Sequence, residues 1–553
     1  MRQTAVRFQI ISIAIVIVLG FGAYSNSING EFIWDDYPLL RDNTYIKDSS
    51  YIARIFTGDI GAGSGTRYGY YRPLSMLTYM LDYSLWRLNV KGYHLTNIAL
   101  HILTALCIYW LVIILFRDAL LSLLTSILFV IHPIHTEAVA YISGRPDALA
   151  AIFMLLCIIF YIKQLSVPSK SFIVLTMVSF TVAVLCKENS LSLPVLVLLY
   201  HYIFKKKVSI KQFLPLLGIV LLYLTARMTF LRASLSDTGN LTTLLQRIPG
   251  FFVAITNYAR LILFPFHLHM EYGNKLFNLL HPKAITGILI LFSLVWYAFI
   301  KRSNQSLISF SILWFFIALL PASNIPLRVA FYMAEHYLYL PSIGFFLALA
   351  YGLSSLYRTN KLKVFAIVLV VSLASFYLTL TVRQNEYWRE PLRFYKRTLR
   401  YAPDSWRVHN NMGNIYSDIG KYEEAIASYK KAIKFNPDYA EAYYNLGNTY
   451  RKIGETEKAM VSFEKAIEAN PAHAKAFNNL GLLYISLDKR EEAITLFKKA
   501  IDIDPEFAGA HNNLAVAYYY TYRYELAIKH CDRAIELGFN IKPEFRALLE
   551  PYR

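Results

Sequence analysis

The feature that most constrains this chain is a succession of apolar segments, each close to the length that crosses a lipid bilayer. The first runs from Phe8 to about Ser25 without a charged residue. About 20 apolar residues span the hydrocarbon core as a helix, which satisfies its own backbone hydrogen bonds there. The sequence therefore predicts an all-α, multi-spanning membrane domain over residues 1–400. Its eleven predicted spans lie near residues 8–25, 93–116, 119–132, 147–162, 171–186, 190–204, 212–231, 284–300, 307–322, 336–357 and 362–382.

The basic residues between these segments predict the orientation of the domain. Cytoplasmic loops of membrane proteins are enriched in Lys and Arg. If residues 1–7 lie in the cytoplasm, five basic loop clusters lie there as well. These clusters are Arg117 and residues 163–170, 205–211, 301–302 and 358–363.

This count of spans holds only if residues 249–266 do not cross the membrane. Asn257, Arg260 and Pro265 favour a re-entrant or surface-lying segment that faces protein. The long first loop, residues 26–92, and the C-terminus are then extracytoplasmic. That side is the periplasm or cell exterior of a prokaryote, or the endoplasmic reticulum lumen of a eukaryote.

The net charge of +19 belongs to the membrane domain. Residues 404–538 hold 17 Lys and Arg against 19 Asp and Glu, a balance of −2, which leaves +21 for the remainder. Basic loops and lipid phosphates account for this charge, so we expect membrane lipid as a partner and no nucleic acid. The four cysteines show no spacing typical of a disulfide framework or a metal site. His132 and His135 have no third ligand at a diagnostic spacing, so they are predicted to be structural.

From about residue 404 the sequence repeats every 34 residues, the period of tetratricopeptide helix pairs. Four repeats are predicted over residues 404–540, and residues 541–553 are predicted to form a terminal capping helix. Small residues recur where the two helices of a repeat touch, and prolines keep the same interval. The small residues are Gly413, Gly447, Gly481 and Ala515, and the prolines are Pro403, Pro437, Pro471 and Pro505.

An asparagine recurs in the first helix of each repeat, at Asn411, Asn445, Asn479 and Asn513. A carboxamide both donates and accepts hydrogen bonds, so a row of them is predicted to bind the backbone of an extended acceptor polypeptide. The alternative, which the sequence leaves open, is that these asparagines cap or bridge helices.

The predicted extracytoplasmic side collects a recognisable set of motifs. They are Asp35-Asp36 after the first span, Tyr70 to Leu74, the His132 to Val139 run with Gly144 to Asp147, Lys187-Glu188, and Glu335 to Ser342. Together with the C-terminal repeats, these motifs resemble the transmembrane and tetratricopeptide repeat-containing protein O-mannosyltransferases. The resemblance covers nearly the whole chain and implies the C-type glycosyltransferase fold. It also implies inverting transfer of a sugar, usually mannose, from a polyprenyl phosphate to Ser or Thr hydroxyls of exported proteins, with the repeats recruiting the acceptor.

The resemblance also suggests roles for individual residues. Asp35 matches the first acid of the family motif and is expected to be the catalytic base, with Asp36 as a positioning partner or metal ligand. The choice between the two acids, and whether they bind a divalent cation, stay open. A departing phosphate needs nearby positive charge. The residues expected to bind the donor phosphate or sugar are Arg72, Glu137, Arg145, Lys187, Glu188, Glu335 and His336.

Two other functions are compatible with the sequence. One is a membrane-anchored tetratricopeptide scaffold without catalysis. The other is a lipid-linked glycan ligase or polymerase, which can also carry such repeats. Those enzymes generally have their large external loop late among the spans, whereas the longest loop here, residues 26–92, is the first.

Overall fold

The computed structural model describes residues 2–231, 243–273, 275–325 and 331–553, with side chains described from residue 6 onward. Helices dominate, and the described part of the chain contains no β-strand. The chain divides into two compact units, Met1–Arg397 and Thr398–Arg553. The predicted all-α class and the tandem of a membrane domain with helical repeats are confirmed.

The described residues of the first unit form sixteen α-helices, the last of which runs across the division between the units. They are α1 (Arg2–Tyr24), α2 (Ile52–Thr57), α3 (Pro73–Trp86), α4 (Val90–Phe116), α5 (Ala119–Ile131), α6 (Thr136–Val139), α7 (Arg145–Ser166), α8 (Lys170–Cys186), α9 (Leu193–Ile203), α10 (Ile210–Phe230), α11 (Leu244–Leu263), α12 (Pro282–Lys301), α13 (Ser306–Leu319), α14 (Ser342–Arg358), α15 (Lys363–Asn385) and α16 (Pro391–Tyr401). Many begin with proline or a capping side chain, because the first helical N–H groups have no partner within the helix.

All eleven predicted spans coincide with helices of this unit. Six helical segments are long and apolar enough to cross a membrane, and a seventh qualifies if the bent pair α5 and α6 is one span. The span predicted at residues 190–204 corresponds to the helix Leu193–Ile203, which has only 11 residues and is shorter than the prediction. Residues 249–266 fall mostly in α11, an amphipathic helix of 20 residues that is not among the candidate spans. The count of eleven crossings therefore stays a prediction.

Proline at position 133 directly follows the third predicted span, residues 119–132. It cannot donate a backbone hydrogen bond, so α5 ends at Ile131 and the chain bends by 53° before α6. The neighbouring histidines hold this bend. His132 Nε2 lies 3.2 Å from the Ile262 carbonyl, and His135 contacts the Phe129 carbonyl at 2.9 Å and Ser342 Oγ at 3.0 Å. These contacts agree with the structural role predicted for both.

Helix α7 lies at the centre of the first unit. In the segment Ile142–Ser166, 72% of the residues in the apolar window are buried within the protein, compared with 11% for Ile210–Phe230. It packs between α4 and α8, and Leu155 and Cys157 are fully buried there. The turn before α7 carries Ser143 and the helix itself begins with Arg145, so the central helix also fixes the position of two polar side chains.

The second unit is built from helix pairs at the 34-residue period. In each repeat, the small residue of the first helix faces an aromatic residue or a cysteine of the second helix. The two residues are always 16 positions apart in the sequence. A Cβ atom on Gly447, for example, would lie only 2.8 Å from the ring of Phe463. The helices are α17 (Trp406–Asp418), α18 (Tyr422–Phe435), α19 (Ala440–Lys452), α20 (Thr456–Ala469), α21 (Ala474–Ser486), α22 (Arg490–Ile503), α23 (Ala508–Tyr520), α24 (Tyr524–Glu536) and α25 (Pro543–Leu549).

Helix α25 covers the last repeat. Leu549 is fully buried in the same apolar cluster as Leu514 and Ala527, and Phe545 packs against that cluster. The short helix therefore covers apolar residues of the fourth repeat, which is compatible with the predicted capping role.

Candidate active site

The turn that carries the two adjacent acids is tied to distant parts of the first unit. The backbone N–H of Glu31 donates to the carbonyl of Arg389 at 2.9 Å. The N–H of Trp34 donates to the hydroxyl of Tyr395 at 3.3 Å. Trp34 has a φ of 53°, a left-handed backbone conformation that is costly for a bulky residue and persists only when the surroundings impose it. The turn is therefore held in a defined shape.

Asp36 is the inner acid of the pair, with 1% of its surface exposed. One oxygen accepts from the Ile33 N–H at 3.0 Å. The other accepts from the N–H and the hydroxyl of Ser143, at 2.8 and 2.5 Å. Burial raises the pKa of Asp36 to about 7, although these three hydrogen bonds oppose that change. Donors on both oxygens suit a carboxyl group that anchors the turn, and a role of Asp36 as a metal ligand stays a prediction.

Asp35 is the outer acid and is half-buried. Its carboxylate accepts a hydrogen bond from the Tyr68 hydroxyl at 3.0 Å, and its backbone N–H donates to the Tyr141 hydroxyl at 3.0 Å. The Tyr141 ring in turn stacks on Trp388 with centroids 5.5 Å apart. The two neighbouring acids thus have different surroundings, and the one that is not fully buried is Asp35.

A buried ion pair lies beside this turn. Arg72 donates to both oxygens of Glu188, at 2.9 and 2.5 Å, and its guanidinium lies 4.3 Å from the centroid of the Tyr70 ring. Burial alone would raise the pKa of Glu188, but Arg72 outweighs it and lowers this pKa to about 2. Burial raises the pKa of Tyr70, on which the charges of Arg72, Glu188 and Asp35 also act. Arg72 of the ion pair therefore contacts Tyr70, and the charge of the outer acid also acts on this tyrosine.

Lys187 forms a second ion pair. Its ammonium group lies 2.7 Å from each oxygen of Asp147, and both side chains are buried. The charge of Asp147 also acts on Arg72. Two cations and two carboxylates are therefore grouped together, with Lys187 and Glu188 contributed by the turn between α8 and α9.

Arg145 lies in the interior of the unit, with 0% of its surface exposed. The guanidinium donates to Asn97, Asp82 and the carbonyls of Thr78 and Tyr93. It also lies 4.6 Å from the centroid of the Tyr79 ring. All of its donors face protein groups from α3 and α4. This placement suits a residue that joins helices and does not suit the predicted contact with a donor phosphate, so we exclude Arg145 from the candidate site.

Glu137 and Glu335 form a second acidic group at the turn Glu335–Leu338. Both oxygens of Glu137 accept from His336, one from its backbone N–H at 2.9 Å and one at Nδ1, 2.7 Å away. Glu335 is fully buried and accepts from the N–H of His269 and the hydroxyl of Tyr272. Burial and the nearby charge of Glu137 raise the pKa of Glu335 well above its ordinary value. His336, with 25% of its side chain exposed, is the accessible member of this group.

The asparagine row of the repeats forms hydrogen bonds between neighbouring repeats. The amide of Asn445 donates to Asn410 at 3.1 Å, that of Asn513 to Asn478 at 2.8 Å, and that of Asn479 to Asn448 at 2.8 Å. Asn411 accepts from Asn410 within its own repeat at 3.4 Å. These bonds favour the bridging role that the sequence left open. A role in binding an acceptor polypeptide stays a prediction.

Sequence reasoning missed several residues that shape the site. Tyr68, Ser143 and Tyr395 fix the acid pair, and Asp82 neutralises Arg145. None of them stands in a motif with a fixed spacing from its partner. The described residues contain no group of three His, Cys, Asp or Glu side chains placed to hold a metal ion.

Comparison with known proteins adds independent information. Family models described as tetratricopeptide repeat match the second part of the chain, at residues 394–427, 413–454, 440–473, 482–521 and 508–538. The predicted tetratricopeptide repeats in the C-terminal part are therefore confirmed. Among solved structures, one titled "Crystal structure of MamA" is 32% identical over 28% of this chain and 89% of that chain, with a TM-score of 0.25.

Two similar curated proteins extend through the membrane part. The Protein O-mannosyl-transferase F38B6.6 of Caenorhabditis elegans is 30% identical over 434 residues, which cover 75% of this chain and 61% of that protein. The Protein O-mannosyl-transferase TMTC4 of Homo sapiens is 27% identical over 471 residues, which cover 73% of this chain and 63% of that protein. The chain thus spans less than two thirds of the length of these relatives.

Proposed function

Over 75% of its length this chain is a homologue of the TMTC protein O-mannosyl-transferases, and we propose that it is an integral-membrane glycosyltransferase. Its substrates are a sugar, mannose by analogy with the names of its relatives, linked to a polyprenyl phosphate, and Ser or Thr hydroxyls of exported proteins. The observation that carries the proposal is Asp35, a half-buried acid in a turn of fixed shape, whose charge acts on the same tyrosine, Tyr70, as the charges of Arg72 and Glu188.

The proposed reaction replaces one bond at the anomeric carbon of the sugar by another. The hydroxyl oxygen of the acceptor forms a bond to that carbon on the face opposite the phosphate, while the bond from the carbon to the phosphate oxygen breaks. The hydroxyl proton passes to Asp35, which acts as the general base, and the phosphate leaves with the electron pair. Attack opposite the leaving group inverts the configuration of the sugar.

Arg72 and Lys187 are the cations proposed to stabilise the leaving phosphate. Each is held by a carboxylate, Glu188 and Asp147 respectively, so its position is fixed before the substrate binds. Preorganised charge costs no rearrangement during the reaction. His336 is proposed to contact the donor from the second acid group, where Glu137 orients its ring.

The repeats are proposed to recruit the acceptor polypeptide, since tetratricopeptide arrays form extended binding surfaces. A divalent cation at Asp35 is not required by this mechanism. The site is proposed to face the extracytoplasmic side, on which the acceptor proteins arrive. A single cysteine at exposed Glu544 tests that orientation, because the proposal requires labelling by an impermeant reagent from the extracytoplasmic side of intact membranes. Labelling only from the cytoplasmic side would overturn it.

The catalytic proposal is tested by replacing Asp35→Asn in cells that lack the native chain. Mass spectrometry of exported proteins should show loss of hexose from Ser and Thr. Asp42→Asn is the matched control, because Asp42 is an exposed acid of the same loop that pairs with Arg41. Modification that persists in the Asp35→Asn cells at the control level would remove the catalytic claim and favour the scaffold function.

A further inference from the structure

Helix α16 has two chemically distinct faces. Pro391, Phe394, Tyr395 and Thr398 are buried, at the spacing of three and four residues that defines one side of a helix. Arg393, Lys396 and Arg400 are exposed and share the opposite side. We call these three residues the basic face of α16.

The buried face of α16 supports the turn of the acid pair. Tyr395 accepts from the Trp34 N–H, and the ring of Phe394 meets that of Trp34 edge to face at 6.4 Å. Trp388, just before the helix, lies 4.6 Å from Phe394 between ring centroids. Because the buried side is fully used within the protein, the basic face is the side that remains for an external partner.

The described part of the protein neutralises the charge of the basic face only in part. Residues 389–400 contain five Lys or Arg and one Glu. Arg397 donates to the Leu268 carbonyl and stacks on Tyr387, and Arg393 pairs with Glu386 at 3.2 Å. Within the described ranges, Lys396 and Arg400 have no carboxylate at ion-pair distance.

The position of α16 along the chain brings this charge to the membrane surface. The last candidate span ends at Trp388, and α16 begins at Pro391. Three residues of extended chain reach about 10 Å, so the helix begins within that distance of the end of the span. Half-buried Leu392 and Leu399 flank the basic face. Cations beside leucines on a helix that follows a span are typical of helices that lie at the interface of anionic membranes.

We propose that the basic face of α16 binds the phosphate groups of anionic phospholipids at the membrane surface. The proposed orientation of the chain gives a second reason to expect an anionic partner for these charges. Basic residues are concentrated in cytoplasmic loops, yet the proposed topology puts α16 on the other side, where orientation does not explain its charge. The lipid contact would act on the same helix that supports the turn of Asp35 and Asp36.

The test uses the full-length protein purified in detergent and equilibrated with equal amounts of phosphatidylglycerol and phosphatidylcholine. Native mass spectrometry measures which lipids stay bound. The wild-type protein should retain phosphatidylglycerol preferentially. In the double variant Lys396→Gln/Arg400→Gln, the preference for phosphatidylglycerol over phosphatidylcholine should fall by about five-fold for each charge removed. Lys396→Glu/Arg400→Glu should lose more, because it repels the phosphate.

The matched control is Lys430→Gln/Lys434→Gln, which removes two exposed charges from α18, 42 and 46 residues further along the chain than the end of the last candidate span at Trp388. Its lipid preference should equal that of the wild type. Equal retention of the two lipids by the wild-type protein would overturn the proposal, as would an unchanged preference in a folded α16 variant. Binding of the same proteins to poly-glutamate tests a protein partner. If the α16 variants bind poly-glutamate more weakly than the wild type but keep its lipid preference, the basic face is a protein-binding surface and the proposal is overturned. Because the readout is bound lipid, it does not depend on the proposed transfer reaction.

Discussion

The hydroxyl of Tyr68 donates a hydrogen bond to the carboxylate of Asp35, whereas the adjacent Asp36 accepts from Ser143 and Ile33. Burial, followed by the charge of Asp35, raises the pKa of Tyr68 well above its ordinary value, so this phenol stays protonated and remains a donor. Tyr68 and the outer acid lie 33 residues apart in the first loop. The two neighbouring carboxyl groups therefore differ: Asp35 accepts from a side chain of the same loop, whereas Asp36 holds the backbone of the turn.

Tyr68→Phe should lower the transfer rate without unfolding the protein. The substitution removes a hydrogen bond to a charged group, which is worth about 1.5–3 kcal/mol, and leaves the ring in place. We expect a decrease of about ten-fold in the rate at saturating donor. Tyr45→Phe in the same loop is a suitable control, since its ring stacks on Tyr51 and does not contact the acid pair. A Tyr68→Phe rate equal to that of the control would show that this hydrogen bond is dispensable.

Asp36 should make the folded state less stable as the pH rises from about 4 to 7. The folded protein keeps the proton of Asp36 up to a pKa of about 7, whereas the unfolded chain loses it near its ordinary value of 3.8. Between these values the folded state binds more protons, so the free energy of unfolding decreases with pH. Asp36→Asn removes this dependence. Thermal unfolding in detergent at pH 5, 6, 7 and 8 measures it, and identical pH profiles for the two proteins would contradict the expected shift.

The Arg72–Glu188 pair offers a test that separates stability from chemistry. Arg72→Met leaves a buried carboxylate without its cation and should cost about 3–5 kcal/mol. The double variant Arg72→Met/Glu188→Met removes both charges and should recover much of that loss. If Arg72 stabilises the leaving phosphate, the double variant is folded but inactive. Recovery of both stability and transfer would make the pair purely structural.

The exposed pair Arg41–Asp42 is the reference for that experiment. Its side chains are 42% and 49% exposed, and such pairs contribute between about 0 and 1 kcal/mol. Arg41→Met should therefore change the unfolding temperature little. This contrast checks that the loss in Arg72→Met arises from burial and not from removing any arginine in the loop.

Gly447→Ala should destabilise the repeats by about 1–3 kcal/mol, because its Cβ would lie 2.8 Å from the Phe463 ring. The fourth repeat has Ala515 and Cys531 at the corresponding positions, both buried in one cluster. Gly447→Ala/Phe463→Cys copies that pair and should be more stable than Gly447→Ala alone. Gly352→Ala is the control, since nothing lies within 4 Å of its added methyl group. Equal unfolding temperatures for Gly447→Ala and the control would contradict this packing argument.

Periodic features of the sequence predict much of the fold. Apolar runs predict the positions of the long helices, and the recurring small residues predict the repeats, because both patterns come from contacts repeated along the chain. Asp35, Arg72 and Lys187 are identified by motifs. Their partners are not: Tyr68 contacts Asp35 across 33 residues, and Arg145 contacts Asp82 across 63. Such pairings depend on how helices pack, and single positions carry no local signal of them.

Arg145 illustrates the limit most clearly. A cation beside a conspicuous Pro-Asp turn has the same sequence signature whether it faces a ligand or the protein interior. Only the packing of α3 and α4 around α7 decides between the two, and here it surrounds the guanidinium with acceptors. Charge type can be read from a sequence, but burial of one side chain in a membrane domain cannot.

The tie between Trp34 and Tyr395, which are 361 residues apart, also has a consequence for biosynthesis. At a synthesis rate of about 5–20 residues per second, the acid turn emerges roughly 20–70 s before the residues that fix it exist. During that interval its backbone lacks the bonds from residues 389–395. An interrupted chain therefore carries both aspartates without the rigid turn, so the site is completed only when the final span and α16 are in place.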